Sequence, residues 1–201
     1  MRHARSVLAV TIALFVALAL TIVFFGAPPA DAALRDALLS LVSPPLLAVL
    51  RLVNRAGDWR VLVPGTLILL AAFPRARRQW WFWCGLMVAA PLSEGLLKAV
   101  IRRPRPESLS FGFPSGHATA AAAFFGATIY LAGSLPPRAR AVVRAGAVLA
   151  ILLVGVARVS LRAHWPSDVL AGTSLGLALA SLAALTAAGT DQGNDRLERT
   201  S

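Results

Sequence analysis

WWFWCGLMVAAPLSEGLLKAVIRRPRPESLSFGFPSGHATAAAAFFGATIYLAGSL, residues 80–135, holds two apolar runs parted by a basic, proline-rich segment. That alternation decides the fold. Trp80–Ile101 and Pro114–Leu135 are each long enough to cross a bilayer, which takes roughly 20 apolar residues. Trp80, Trp81 and Trp83 gather at one end of the first run, as an interfacial aromatic belt does. Pro114 ahead of the second run is a helix-start signal.

The same grain extends in both directions. Val7–Phe25, Arg60–Phe73 (short), Ala141–Val159 and Trp165–Ala188 read as further spans. The chain is 57% hydrophobic and 14% charged, where a soluble domain is nearer 25% charged. The expected fold class is therefore all-α: a polytopic membrane bundle with six transmembrane helices plus short interfacial helices. Residues 1–32 also have the outline of a signal peptide, a basic start, an apolar stretch and then Ala30-Asp31-Ala32. A cleavable apolar region is about 7–15 residues, and Val7–Phe25 is longer, so an uncleaved first span is expected. Asp31–Arg55 is apolar in patches, broken by Pro44-Pro45 and punctuated by Arg35 and Arg51. It is expected as amphipathic helices on the membrane surface. The resulting division is a first span over 1–30, extracytoplasmic interfacial helices over 31–57, a helical core over 58–189 and a disordered cytoplasmic tail over 190–201.

The net charge of +11 suits a cytoplasmic face against anionic membrane lipids. Nucleic acid as a partner is excluded, since no basic segment lies on an aromatic or polar platform. Cys84 is the single cysteine and sits in an apolar run, so neither a disulfide framework nor a cysteine metal site is available. Arg75, Arg77 and Arg78 follow the second span, and Arg138, Arg140 and Arg144 follow the fourth. Both loops lie on one side, cytoplasmic by the positive-inside rule. That reading discounts Lys98, Arg105 and Arg158 as site residues and leaves Arg102, Arg103 and Arg162 as outer charges.

Three polar clusters interrupt the apolar background. Lys98, the only lysine among 20 basic residues, lies near the end of the third span. Ionisable groups at membrane depth are costly and are functional candidates by default. Glu94 stands four residues earlier, so an ion pair is one explanation of Lys98 and tuning of a site is another. Arg102-Arg103-Pro104-Arg105-Pro106 is stiff, because each Pro holds its predecessor extended, and stiffness suits a cationic clamp. In Pro114-Ser115-Gly116-His117, unpaired first-turn amides form an anion site. Gly116 permits close approach, Ser115 adds a hydroxyl, and His117 passes protons near neutrality. His164 and Asp168, four apart, share a helical face. A carboxylate on one ring nitrogen leaves the other free to attack. Arg158 presents a fork of donors that fits phosphate oxygens. Nucleophile, acid/base and cationic cradle together are what phosphate-ester cleavage requires.

Lys98-x6-Arg105-Pro106, Pro114-Ser115-Gly116-His117 and Arg158-x5-His164-x3-Asp168, in order and with every spacing kept, resemble the three-part signature of the type 2 phosphatidic acid phosphatase superfamily. That group contains membrane lipid phosphatases and the vanadium haloperoxidases. The resemblance covers residues 98–168. One departure is Ala157, where the family usually has Ser. The resemblance implies catalytic His164, His117 and Asp168, with Lys98, Arg105, Ser115, Gly116 and Arg158 binding phosphate. It implies a phosphohistidine intermediate, no metal and no cofactor. It also implies a lipid phosphate substrate, an extracytoplasmic active site and a multi-pass protein of the inner (plasma) membrane. Small size and the surface helices look most like the bacterial undecaprenyl pyrophosphate phosphatases. Phosphatidylglycerol phosphate and phosphatidic acid are the alternative substrates. Two other classes share the cradle: a vanadate-dependent haloperoxidase, against which six spans argue, and a non-catalytic lipid carrier, which has no need of His117 together with His164.

Overall fold

A computed structural model describes residues 2–190 of the chain; of the tail expected to be disordered over 190–201, all beyond Thr190 lies outside the described residues. The helices are α1 (Arg2–Phe25), α2 (Pro29–Ser40), α3 (Pro44–Asn54), α4 (Trp59–Ala72), α5 (Pro74–Arg78), α6 (Trp80–Ile101), α7 (Gly116–Leu131), α8 (Pro137–Ser160) and α9 (Pro166–Thr190). Prolines open α2, α3, α5, α8 and α9. The first helical position suits Pro because its fixed φ is already helical and its missing N–H would have no partner there. Asp58 starts α4, its carboxylate accepting from the Arg60 N–H at 2.9 Å.

α7 is the centre of the bundle. It packs on α9, α8, α6 and α4, and α1 lies along the outside of α9. Small residues let α7 and α9 approach almost backbone to backbone. A Cβ on Gly172 would meet the Ser115 carbonyl at 2.5 Å, and one on Gly176 would collide with the Thr119 carbonyl. Close packing of this kind stabilises helix pairs in lipid, where no hydrophobic force draws apolar faces together. Outward-facing Val10, Phe24, Leu67, Leu92 and Leu149 are exposed and form the apolar surface a bilayer solvates.

Four helices, α1, α6, α8 and α9, are long and apolar enough to cross a membrane. The other two expected spans are helical but short. α4 has 14 residues and α7 has 16, so each is about 21–24 Å long against a hydrocarbon core of about 30 Å. α7 is shielded by its neighbours and need not meet lipid along its length. Residues 31–57 form α2, α3 and a 3-10 turn, and the pair of helices is bent by 117°. The stiff run after α6 contributes an element the sequence does not announce, a two-stranded antiparallel hairpin of β1 (Pro104–Arg105) and β2 (Ser108–Phe111), pairing Arg105 with Ser108. The fold is thus helical, with one small hairpin.

The bundle has two polar ends. His3, Arg75 and Arg144 line one cavity of about 310 Å³, which brings the N-terminus and both basic loops to the same end. The three signature clusters gather at the other.

Candidate active site

Each cluster is delivered by a helix end. Lys98 sits in the last turn of α6, and Arg102 closes that helix in the left-handed region at φ 52°. The reversal turns Arg103 inward to 7% exposure and leads into the hairpin that carries Arg105. Gly116 and His117 open α7. Arg158 lies in the last turn of α8. A second left-handed residue, Arg162 at φ 58°, bends the chain so that His164 faces back under α9.

Lys98, Arg105, Gly116, His117, Arg158 and His164 all line one cavity of about 390 Å³, the other wall of which is apolar (Leu62, Val63, Met87 and Pro91). Segments up to 66 positions apart therefore converge as the spacing suggested. Asp168 and Ser115 do not line it; both are fully buried behind the wall. The Ser115 N–H donates to the Asp168 carbonyl at 3.0 Å, stitching the second cluster to the third. The Ser115 hydroxyl has no partner.

His164 is 1% exposed, and its Nδ1 lies 3.5 Å from Asp168 Oδ2. That is long for a hydrogen bond, and catalytic contacts often tighten only when substrate binds. Because Nδ1 faces the buried carboxylate, Nε2 is the nitrogen left for the cavity. Burial above all, then the positive fields of Arg158 and Arg105, lower the His164 pKa to about 4, against the opposing pull of Asp168. The imidazole is neutral at pH 7, with a lone pair available for attack.

Lys98 is ion-paired with Glu94, the first of the two explanations that the spacing left open. The Glu94 carboxylate is also pressed against Gly116, where an added Cβ would meet Oε1 at 2.6 Å. The structure therefore places Glu94 at the mouth of the α7 amide site, and an incoming anion has to share Lys98 with it.

The expected cationic clamp 102–106 divides. Arg105 faces the cavity, Arg102 is exposed and bonded to the Ala99 carbonyl at 2.9 Å, and Arg103 points away from the cavity. Arg103 donates to Asp168 Oδ1 at 2.7 Å and to Asp31 Oδ2 at 2.5 Å. It is therefore not the outer charge that the loop count made it. Arg162 pairs with Glu107 at 3.0 Å.

Sequence reasoning overlooked what the helices of 31–57 bring. Asp31, in the first turn of α2, reaches the Asp168 network. Asn54, at the end of α3, accepts from Arg158 Nη1 at 3.0 Å. Gly57 packs on the His117 backbone, leaving a Cβ only 2.8 Å from the carbonyl. Asp58 and Trp59 line the cavity. The available signal was scarcity: the chain has nine acidic residues, so each one in an apolar context is a candidate partner for a buried cation. Ala157 is fully buried, and Ser160, whose hydroxyl has no partner, is not among the cavity-lining residues.

The model of the PAP2 superfamily matches residues 79–189. Phosphatidylglycerophosphatase B of Bacillus subtilis (strain 168) is 34% identical over 161 residues, covering 75% of this chain and 79% of that protein. Decaprenylphosphoryl-5-phosphoribose phosphatase of Mycobacterium tuberculosis (strain CDC 1551 / Oshkosh) is 29% identical over 171 residues, 76% of this chain and 87% of that protein. Among solved structures, the transmembrane PAP2 type phosphatidylglycerolphosphate phosphatase from Bacillus subtilis superposes with a TM-score of 0.79 at 30% identity, over 92% of this chain and 96% of the other.

Proposed function

Because the chain belongs to the PAP2 superfamily and is an integral membrane hydrolase of the lipid phosphatase kind, we propose that it removes phosphate from a lipid through a phosphohistidine. The observation that carries this reading is the shared cavity: six signature residues form its polar floor, and apolar side chains of α4 and α6 form the wall beside it. A phosphate on a hydrocarbon tail fits both surfaces at once.

In the first step His164 Nε2 attacks phosphorus, the P–N bond forms, the bond to the leaving oxygen breaks, and His117 gives that oxygen a proton. Asp168 orients the ring and offsets the charge it acquires. In the second step His117 takes a proton from water, water attacks phosphorus, and the P–N bond breaks to free phosphate and His164. Lys98, Arg105, Arg158 and the Gly116 amide hold the phosphoryl oxygens as charge builds. Ser115, the remaining residue of that cradle in the signature, lies behind the cavity wall, and its partnerless hydroxyl joins these donors only on turning into the cavity. Cationic side chains carry the electrostatics, and the mechanism proceeds without a metal.

Phosphatidylglycerophosphate is the first substrate to test, favoured over undecaprenyl pyrophosphate by the names of the relatives. The proposed topology is six spans, with α4 and α7 as short ones, helices 31–57 at the outer surface, and the site facing out of the inner membrane. Gathering of His3, Arg75 and Arg144 at the opposite end supports that orientation. The test is phosphate release by purified protein from phosphatidylglycerophosphate, phosphatidic acid and undecaprenyl pyrophosphate in detergent, with chelator present. Release that survives chelator and disappears in His164→Ala is expected. Full activity in His164→Ala, or loss on chelation, overturns the mechanism.

A further inference from the structure

Behind the cavity runs a buried chain of charges that joins the surface helix α2 to His164. Asp31 is 3% exposed, Arg103 and Ser167 are 7% exposed, and Asp168 is wholly buried. Asp31 Oδ1 accepts from the Ser167 N–H at 2.8 Å, and Oδ2 accepts from the Ser167 hydroxyl at 2.6 Å and from Arg103 Nη2 at 2.5 Å. Arg103 Nη1 donates in turn to Ser167 Oγ at 2.6 Å and to Asp168 Oδ1 at 2.7 Å. The other Asp168 oxygen accepts from the Trp165 N–H at 3.1 Å and faces His164. The Arg103 guanidinium also lies 5.7 Å from the centre of the Trp165 ring.

Two physical consequences follow. Asp31 caps α9 from a distant helix: Ser167 sits in the first turn, where amides have no partner within the helix, and a carboxylate is stabilised there. Asp168 stands on that same turn, so its position is set partly by Asp31. Secondly, Arg103 between two carboxylates leaves the buried triad with a net charge of −1, which is the charge His164 needs opposite it when it becomes cationic. Without Asp31, Arg103 would cancel Asp168.

We propose that Asp31 is a positioning residue of the reaction: through Arg103 and Ser167 it holds Asp168 in place and keeps its charge effective at His164. The carboxylate of Asp31, rather than the apolar packing of α2, is thereby what links that helix to His164. The inference rests on the reading of His164 and Asp168 as nucleophile and orienter.

The experiment compares full-length Asp31→Asn, Asp31→Glu and Leu38→Ala with the unaltered protein. It measures phosphate release from phosphatidylglycerophosphate micelles across pH, with inhibition by orthovanadate as a readout of anion binding. Leu38 packs α2 against Ala118, Val159 and Val169, so its truncation loosens the helix and leaves the charge chain intact. Groups facing His164 or its cavity, namely Asp168 on α9, Arg158 on α8, Arg105 on the hairpin, His117 on α7, Asp58 at the start of α4 and Glu94 with Lys98 on α6, are unchanged throughout.

For Asp31→Asn, kcat falls about 10–100-fold, as for other outer partners of catalytic groups, while KM and vanadate inhibition move less than about 3-fold. The acid limb of kcat shifts to lower pH, because Asp168 opposes Arg103 alone and stabilises the imidazolium less. A purely structural role predicts the reverse shift, toward the ordinary histidine value near 6.5, as water enters a loosened site. Asp31→Glu recovers part of kcat. An unchanged kcat, an acid limb moving upward, or the same profile in Leu38→Ala overturns the proposal. Should Asp31→Asn fail to fold, Ser167→Ala decides: a fall of about 5-fold in kcat, of the order of one lost hydrogen bond, with KM unchanged supports the proposal, and unchanged kcat refutes it. His164→Ala is run alongside. If it remains active, the phosphohistidine reading has failed; if it is dead while Asp31→Asn is fully active, only this inference has.

Discussion

The two polar ends of the bundle are built from the same residue, arginine, and use it in opposite ways. At the signature end Arg103 and Arg158 are buried, and each is held by a named acceptor: Asp31 and Asp168 for the first, Asn54 for the second. At the other end Arg77, Arg78, Arg138 and Arg144 are exposed to solvent or headgroups. A buried guanidinium is tolerable only with partners that repay its dehydration, and its field is then strong because little water screens it. An exposed one is screened within about 8–10 Å and acts on the membrane rather than on chemistry. Residue type therefore says little about role; counter-charge and depth say most.

Breaking the buried end should be far more costly than breaking the exposed one. His164→Ala, which removes the proposed nucleophile, is expected to lower phosphate release at least 1000-fold, read by single-turnover assay with radiolabelled lipid phosphate. Arg158→Ala is expected to lower kcat about 100–1000-fold, the usual loss when one donor to a developing oxyanion is removed. The next test is pH. His164 has its pKa lowered to about 4, so protonation, which removes the attacking lone pair, sets in only below the ordinary value near 6.5. A log kcat/KM profile should stay flat through pH 6.5 with respect to this group and fall about tenfold per unit below about 4. A limb due to His164 at 6.5 would show a solvated imidazole and end the contrast between buried and exposed ends. Glu94→Gln should lower kcat less than about 10-fold, since Glu94 pairs with Lys98 and is not itself a donor to phosphate. Arg138→Ala with Arg140→Ala, at the exposed end, is expected to leave kcat within about 2-fold and stability within about 0.5 kcal/mol, measured by thermal unfolding in detergent.

Much of the site is legible in one dimension. Lys98, Arg105, Gly116, His117, Arg158 and His164 are recognisable because helix ends in an apolar chain are marked by Pro, Gly and charge, and because lysine and histidine are scarce in it. Helix positions are legible for the same reason, and α6, α8 and α9 fall within a few residues of where the apolar runs place them. Span number is less so: α4 and α7 are apolar enough but short, and whether a short helix crosses lipid depends on what surrounds it. Asp31 looked like part of a signal-peptide outline and Arg103 like an outer charge, since their local sequences are ordinary. Their meaning lies in each other, 72 positions apart, and in Ser167, 136 positions from Asp31.

What the amino-acid sequence determined alone is a membrane bundle and three helix-end clusters of polar residues, the set from which the proposed chemistry is drawn. Local rules suffice there, because hydropathy, capping and spacing act over a turn or two of helix. Only the tertiary structure decided which charges face the cavity and which stand behind it, that Ser115 and Asp168 are walled off, and that the segment from Asp31 to Asp58 braces the site. Those outcomes depend on electrostatic partnership between distant segments under burial, and the pairing energy exists only once the bundle has excluded water from both partners.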